Sequence, residues 1–177
     1  RDNELVETIN QSRVNQKYLP SLDLGSELKA TSDIQDIENA DTIIFCIPSD
    51  AFREVSELAS KYIQESSHLI TATKGVEKEG FSLMSNILEE HYPTNSIGVL
   101  SGPNLAEEIA AHHLSGTVIA SKDAELCVSF IQDLSTDFFK VYENDDPYGV
   151  EMGGALKNIY AIACGIADGL NAGENTI

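Results

Sequence analysis

The chain has no tryptophan, three cysteines, five prolines and little positive charge: 11 Lys+Arg against 29 Asp+Glu over 177 residues, a formal net charge of 11 − 29 = −18. That shortage excludes the broad cationic surface that nucleic acid requires, and the same sign disfavours an anionic membrane face. No apolar run approaches the roughly 18 residues that would begin a spanning helix. Arg1-Asp2-Asn3-Glu4 has neither the basic start nor the apolar stretch of a signal peptide, so a cytoplasmic protein is expected. Cys46, Cys127 and Cys164 lie far apart, each in an apolar run and without CxxC spacing, which predicts reduced, buried thiols. His112 and His113 lack partners at ligand spacing, so no metal is expected, and Ser101 has no His and Asp pattern to make it a nucleophile.

What is present is an ordinary hydrophobic fraction, 42%, arranged as short β-branched runs alternating with amphipathic helical patterns. That alternation predicts an α/β fold with a parallel sheet and helices on its faces. The runs are 42–47, 68–73, 96–100, 117–120 and 138–142. The first, continuous and apolar up to Pro48, reads as a strand buried on both sides. Helical spacing brings together Phe52, Val55, Leu58, Ala59 and Tyr62, then Leu83, Met84, Ile87 and Leu88, then Leu126, Val128, Phe130, Ile131 and Leu134. From Gly149 to Leu170 the pattern becomes one long stretch rich in small and apolar residues, the signature of a helix buried on most of its surface. The polar joint Asn144-Asp145-Asp146-Pro147 marks the domain boundary, with one domain over 1–146 and the next beginning at 147–177.

Ligands of open parallel sheets bind at the carboxyl ends of the strands. Pro48-Ser49-Asp50, Thr73-Lys74-Gly75 and Ser101-Gly102-Pro103-Asn104 end three strands and are expected to line one crevice, with Gly102 permitting close approach and Asn104 capping the next helix. A second constellation, Gly153-Gly154-Ala155-Leu156-Lys157-Asn158, places a lysine inside the apolar helix, where desolvation lowers its pKa toward a range useful for proton transfer. A lysine snorkelling from the helix edge is the alternative. Gly153, Lys157, Ala161 and Gly165 form a narrow stripe along that helix. Glu151 is ambiguous and suits an exposed carboxylate at the helix start.

Four segments then resemble NAD(P)-dependent glycerol-3-phosphate dehydrogenase of the bacterial and plastid type: NQKYLP at 15–20, ATKGVE at 72–77, SGPNLAE at 101–107 and GVEMGGALKNIYAIACGIADG at 149–169. The resemblance implies a Rossmann-like sheet lacking its first strands, followed by the first long helix of an all-α C-terminal domain. It implies hydride transfer between NAD or NADP and dihydroxyacetone phosphate or sn-glycerol 3-phosphate, supplying phospholipid synthesis, with no nucleic acid or membrane partner and a homodimer left open. It also implies that the chain is an internal fragment, inactive alone, without the Gly-rich loop and the second half of the substrate site. By the same resemblance Lys157 is the general acid/base and touches substrate with Lys74, Gly102, Asn104 and Asn158. Arg1, Pro48, Phe52, Lys74 and Ala106 face the cofactor, with Arg1 placed to meet a ribose 2′-phosphate. Asn104 departs from the Ser or Thr usual at its position. Two alternatives remain: another dehydrogenase of a small hydroxy acid or phosphosugar with a similar domain pair, or a non-catalytic nucleotide-binding module.

Overall fold

A computed structural model of the chain describes residues 2–173. The β-branched runs become β1 (Thr42–Phe45), β2 (His68–Thr71), β3 (Ile97–Ser101), β4 (Ser115–Ser121) and β5 (Phe139–Asn144), in one sheet of order β1-β2-β3-β4-β5. The first three strands are parallel, and β5 runs parallel to β4. The β3 and β4 pair is antiparallel, however, with Ser101 opposite Val118, so the sheet is mixed and the expectation of an all-parallel sheet is corrected. The reason is the connection. Only α4 (Ala106–Ala110) lies between them, and five helical residues span about 7.5 Å, too little to return along a strand of about 17 Å.

The remaining helices are α1 (Asn3–Ser12), α2 (Phe52–Ala59), α3 (Met84–His91), α5 (Ala124–Leu134) and α6 (Pro147–Gly169). The sequence reading had no counterpart for α1, which Asp2 starts by accepting a hydrogen bond from the Leu5 amide at 3.0 Å. Asn10 then ties the helix to the following loop, its amide exchanging two bonds of 2.9 Å with the backbone of Ala30.

Alternation along β2 divides the interior in two. Leu69 joins Phe45, Phe52, Met84, Ile87, Leu88 and Tyr92 beneath α2 and α3. Its neighbour Ile70 joins Ile119, Leu126, Cys127, Phe130 and Val141 beneath α5. The helical positions read as inward are buried at Phe52, Ala59, Leu83, Met84, Ile87, Leu88, Leu126 and Phe130, whereas Leu58 and Val128 are exposed.

Three burial expectations are corrected. β1 forms an edge of the sheet, so Ile44 is 44% exposed rather than covered on both sides. Cys127 is buried, but Cys46, just past that edge strand, and Cys164, on α6, are exposed. Only the first half of α6 packs on the sheet, against β3 and β4. Beyond it Ile159, Tyr160, Ile162, Ile166 and Leu170 are all at least 59% exposed, because no described element lies against that half.

Phe52 is fully buried, its ring 5.6 Å from that of Phe45. Phe52→Ala is expected to lower unfolding stability by about 3–5 kcal/mol, whereas Val128→Ala on the exposed face of α5 shifts it by about 0.5 kcal/mol or less. Urea unfolding followed by circular dichroism checks both.

Candidate functional site

The exits of the parallel strands are laced together by short polar contacts. The Thr73 hydroxyl donates to the Ile47 carbonyl at 2.8 Å and accepts from the Ile47 amide at 3.2 Å, joining the chain after β1 to the chain after β2. Gly75, at φ 139°, packs so closely on Ser49 that an added Cβ would stand 3.0 Å from its hydroxyl. One residue earlier, the Lys74 ammonium donates to the Gly102 carbonyl at 3.1 Å, reaching the exit of β3. Thus the three segments adjoin pairwise along one edge.

Because β4 is antiparallel, its opening residues share that edge. A Cβ on Gly102 would lie 3.0 Å from the Gly116 carbonyl oxygen and from Thr117 Cα, so the turn after β3 rests on the β4 backbone and admits no side chain. Thr117 donates to the Ser101 carbonyl at 3.1 Å and accepts from the Asn104 amide at 3.1 Å. This use of Asn104 replaces its expected role as a helix cap: α4 begins after Leu105 with no side-chain cap.

The first half of α6 closes the edge from above. A Cβ on Gly154 would stand 2.7 Å from the Ser101 hydroxyl, so the helix approaches the end of β3 through a residue without a side chain. Lys157, three residues on, overhangs the same opening. The result is a cavity of about 370 Å³, lined among others by Lys74, Ser101, Gly102, Pro103, Gly153 and Lys157. At Gly153 an added Cβ would meet nothing within 4 Å, which leaves the α6 side of the cavity open to a ligand.

Two ammonium groups therefore face one small space. Desolvation by burial, and next the like charge of Lys157, hold the Lys74 pKa below the ordinary lysine value. Lys157 itself is exposed, so the expectation of a lysine enclosed by its helix is corrected: the bare outer half of α6 leaves it at the rim.

The other expected residues divide. Asn158 is exposed and does not line the cavity, since one residue past Lys157 it lies about 100° round the helix. Ala106 is exposed at the first position of α4. Pro48 lines a separate, mainly apolar groove of about 440 Å³ with Ile34, Ala51 and Val55. Phe52 is buried in the core, its ring against that of Phe45. Arg1 lies outside the described residues. Ala161 and Gly165 continue the stripe into the exposed half of α6, away from the cavity.

Thr117 and Val118 were missed, because a central strand gives no sign from sequence of which residues reach its end. Glu151 is the larger revision. It is 3% exposed rather than solvated, and α6 is capped instead by Asp146, which accepts from the Gly149 amide at 2.9 Å. A signal for its partner existed, since α3 starts after Leu83 and has no side-chain cap of its own.

Two family models match in order along the chain: the NAD-dependent glycerol-3-phosphate dehydrogenase N-terminus over residues 1–127, and the C-terminus of the same family over residues 146–177. The chain belongs to the NAD-dependent glycerol-3-phosphate dehydrogenase family. Among family members, glycerol-3-phosphate dehydrogenase [NAD(P)+] of Alcanivorax borkumensis is 46% identical over 177 residues, which are 99% of this chain and 52% of that protein. The Acinetobacter baylyi protein of the same name is 50% identical over 178 residues, 99% of this chain and 49% of that protein. The fold agrees with solved glycerol-3-phosphate dehydrogenases from Coxiella burnetii, at TM-score 0.88 and 35% identity over 98% of this chain and 54% of that one, and from Plasmodium falciparum, at 0.90 and 31% over 97% and 49%. The chain spans about half the length of the curated relatives it matches. Among the described residues no helix is long and apolar enough to cross a membrane, and no group of three or more His, Cys, Asp or Glu could hold a metal ion.

The paired lysines give a direct test of this geometry. Lys157→Met removes the like charge beside Lys74, so the Lys74 titration midpoint should rise toward the ordinary value of 10.5. Lysine-selective NMR titration reads it, and an unmoved midpoint would separate the two groups.

Proposed function

We propose that the protein containing this chain interconverts dihydroxyacetone phosphate and sn-glycerol 3-phosphate with NAD or NADP. The observation that carries the reading is the convergence of Lys74 and Lys157 on one cavity of about 370 Å³, at the strand exits of a Rossmann-like sheet. Two cations suit a small phosphate-bearing substrate whose C2 oxygen gains negative charge during reduction.

The residues present fit the reacting end of the nicotinamide cofactor, since Gly102 and Gly153 line the cavity beside both lysines without side chains to fill it. When bound, that cofactor supplies or accepts the hydride at C2. Lys157 then holds the proton: its ammonium gives one to the C2 oxygen during reduction, and its neutral amine takes one from the C2 hydroxyl during oxidation. Lys74, steered by its bond to the Gly102 carbonyl, holds positive charge against the developing alkoxide and spans the cofactor and substrate sides. Gly102 and Asn104 bound the substrate from the β3 turn, and Thr117 fixes the Asn104 amide. Pro48, Phe52 and Ala106 are assigned to the cofactor side. Asn158, the neighbour of Lys157 on α6, does not line this cavity.

On this reading residues 1–146 belong to the dinucleotide-binding domain and 147–177 open the helical domain, so that α6 brings the acid/base across from one to the other. The product supplies phospholipid synthesis in the cytoplasm.

In the complete enzyme, Lys157→Ala should lower turnover of dihydroxyacetone phosphate by about 10²- to 10⁴-fold while NADH affinity stays near that of the unchanged protein. NADH oxidation assays with dihydroxyacetone phosphate, 6-phosphogluconate and ketopantoate, alongside calorimetry, check it. Near-normal turnover in the variant, or preference for another of these substrates, contradicts the assignment.

A further inference from the structure

Glu151 is a buried carboxylate that the proton transfer above does not use. Only 3% exposed, it sits on α6 yet spends both oxygens on another helix: Oε1 accepts from the Ser85 amide at 3.1 Å, and Oε2 accepts from the Ser85 hydroxyl. Ser85 belongs to the first turn of α3, whose opening amides have no partner within the helix, and the residue before it, Leu83, offers no side-chain cap. A carboxylate brought from 66 positions away thus does the work that a local Ser or Asp usually does. Such a contact is directional, since two bonds to one residue fix both the height and the rotation of the donor helix relative to the acceptor. Burial raises the Glu151 pKa, opposed by the bonds from Ser85, in keeping with a group enclosed between two elements.

We propose that Glu151 is a positioning residue: docked on the start of α3, it fixes the rotation and height of α6 and thereby where Lys157 stands against Lys74. Six residues separate Glu151 from Lys157, which is about 9 Å along the axis and about 240° around it. The carboxylate therefore grips α6 on a different side from the one that bears the lysine. Gly154 lies between them, seated on Ser101 without a side chain. With the Glu151 anchor and the Gly154 seat both in place, α6 has one register on the sheet. Without the anchor, α6 keeps its packing on β3 and β4 but loses the hydrogen bonds to Ser85 that fix its rotation.

The inference rests on the proposed dehydrogenase reading for its kinetic readout, and has a second readout that does not. In the complete enzyme carrying this chain, E151A should lower kcat for dihydroxyacetone phosphate about 10- to 100-fold while the Kd for NADH is unchanged. As Lys157 moves off, the Lys74 titration midpoint should rise. E151Q keeps an oxygen for the Ser85 amide and fills the same space, so it should restore most of both. S85A, which removes only the hydroxyl donor, should shift Lys74 in the same direction by less, and it serves if E151A does not fold by circular dichroism. A folded E151A or S85A with an unmoved Lys74 midpoint overturns the proposal, as does an E151A that loses NADH binding in parallel with kcat, the mark of a merely structural role. An unchanged enzyme that fails to reduce dihydroxyacetone phosphate overturns the functional reading instead, and the Lys74 midpoint still decides the positioning.

Discussion

The seam between α6 and the sheet is short, and the crevice depends on it. The helix meets β3 and β4 only through its first half, where Gly154 rests on Ser101 and Glu151 reaches Ser85. Everything that distinguishes this edge from an ordinary set of strand exits follows from that seating. It closes one side of the cavity, brings Lys157 to a site whose other lysine comes from the turn after β2, and lowers the pKa of Lys74 by desolvation and like charge. The antiparallel return of β4 serves the same end, because it supplies Gly116 and Thr117 as the surface on which the Gly102 turn rests.

Charge sharpens the point. A body of net charge −18 repels phosphates at long range, but at physiological salt that field fades over about 8 Å. Inside the cavity the nearest charges are the two ammonium groups, and their mutual repulsion is relieved when an anion enters. The lowered Lys74 pKa reflects its burial first and the neighbouring Lys157 charge second.

Much of this was legible from residues alone. The β-branched runs located all five strands, Lys74 and Gly102 stood out at strand exits, and Lys157 stood out as a charge inside an apolar helix. The antiparallel pairing was not legible, since it depends on how far the short α4 can carry the chain and not on the pattern of β4 itself. Burial was misread wherever it depends on a neighbouring element: Ile44 and Cys46 at the sheet edge, Cys164 on the outer half of α6, and Lys157 where the packed half ends, are exposed although their own runs are apolar. Glu151 failed in the opposite direction. A carboxylate near a helix start suits solvent, and only the uncapped start of α3, remote in sequence, explains why it is buried.

The central claim is that α6 holds Lys157 against Lys74 across the cavity. A short amine-to-amine crosslinker applied to the complete enzyme, followed by peptide mass spectrometry, tests it without assuming any reaction. The account predicts a Lys74–Lys157 crosslink that sn-glycerol 3-phosphate with NADH suppresses. Abundant reaction of either lysine alone, with no crosslinked pair, would contradict it.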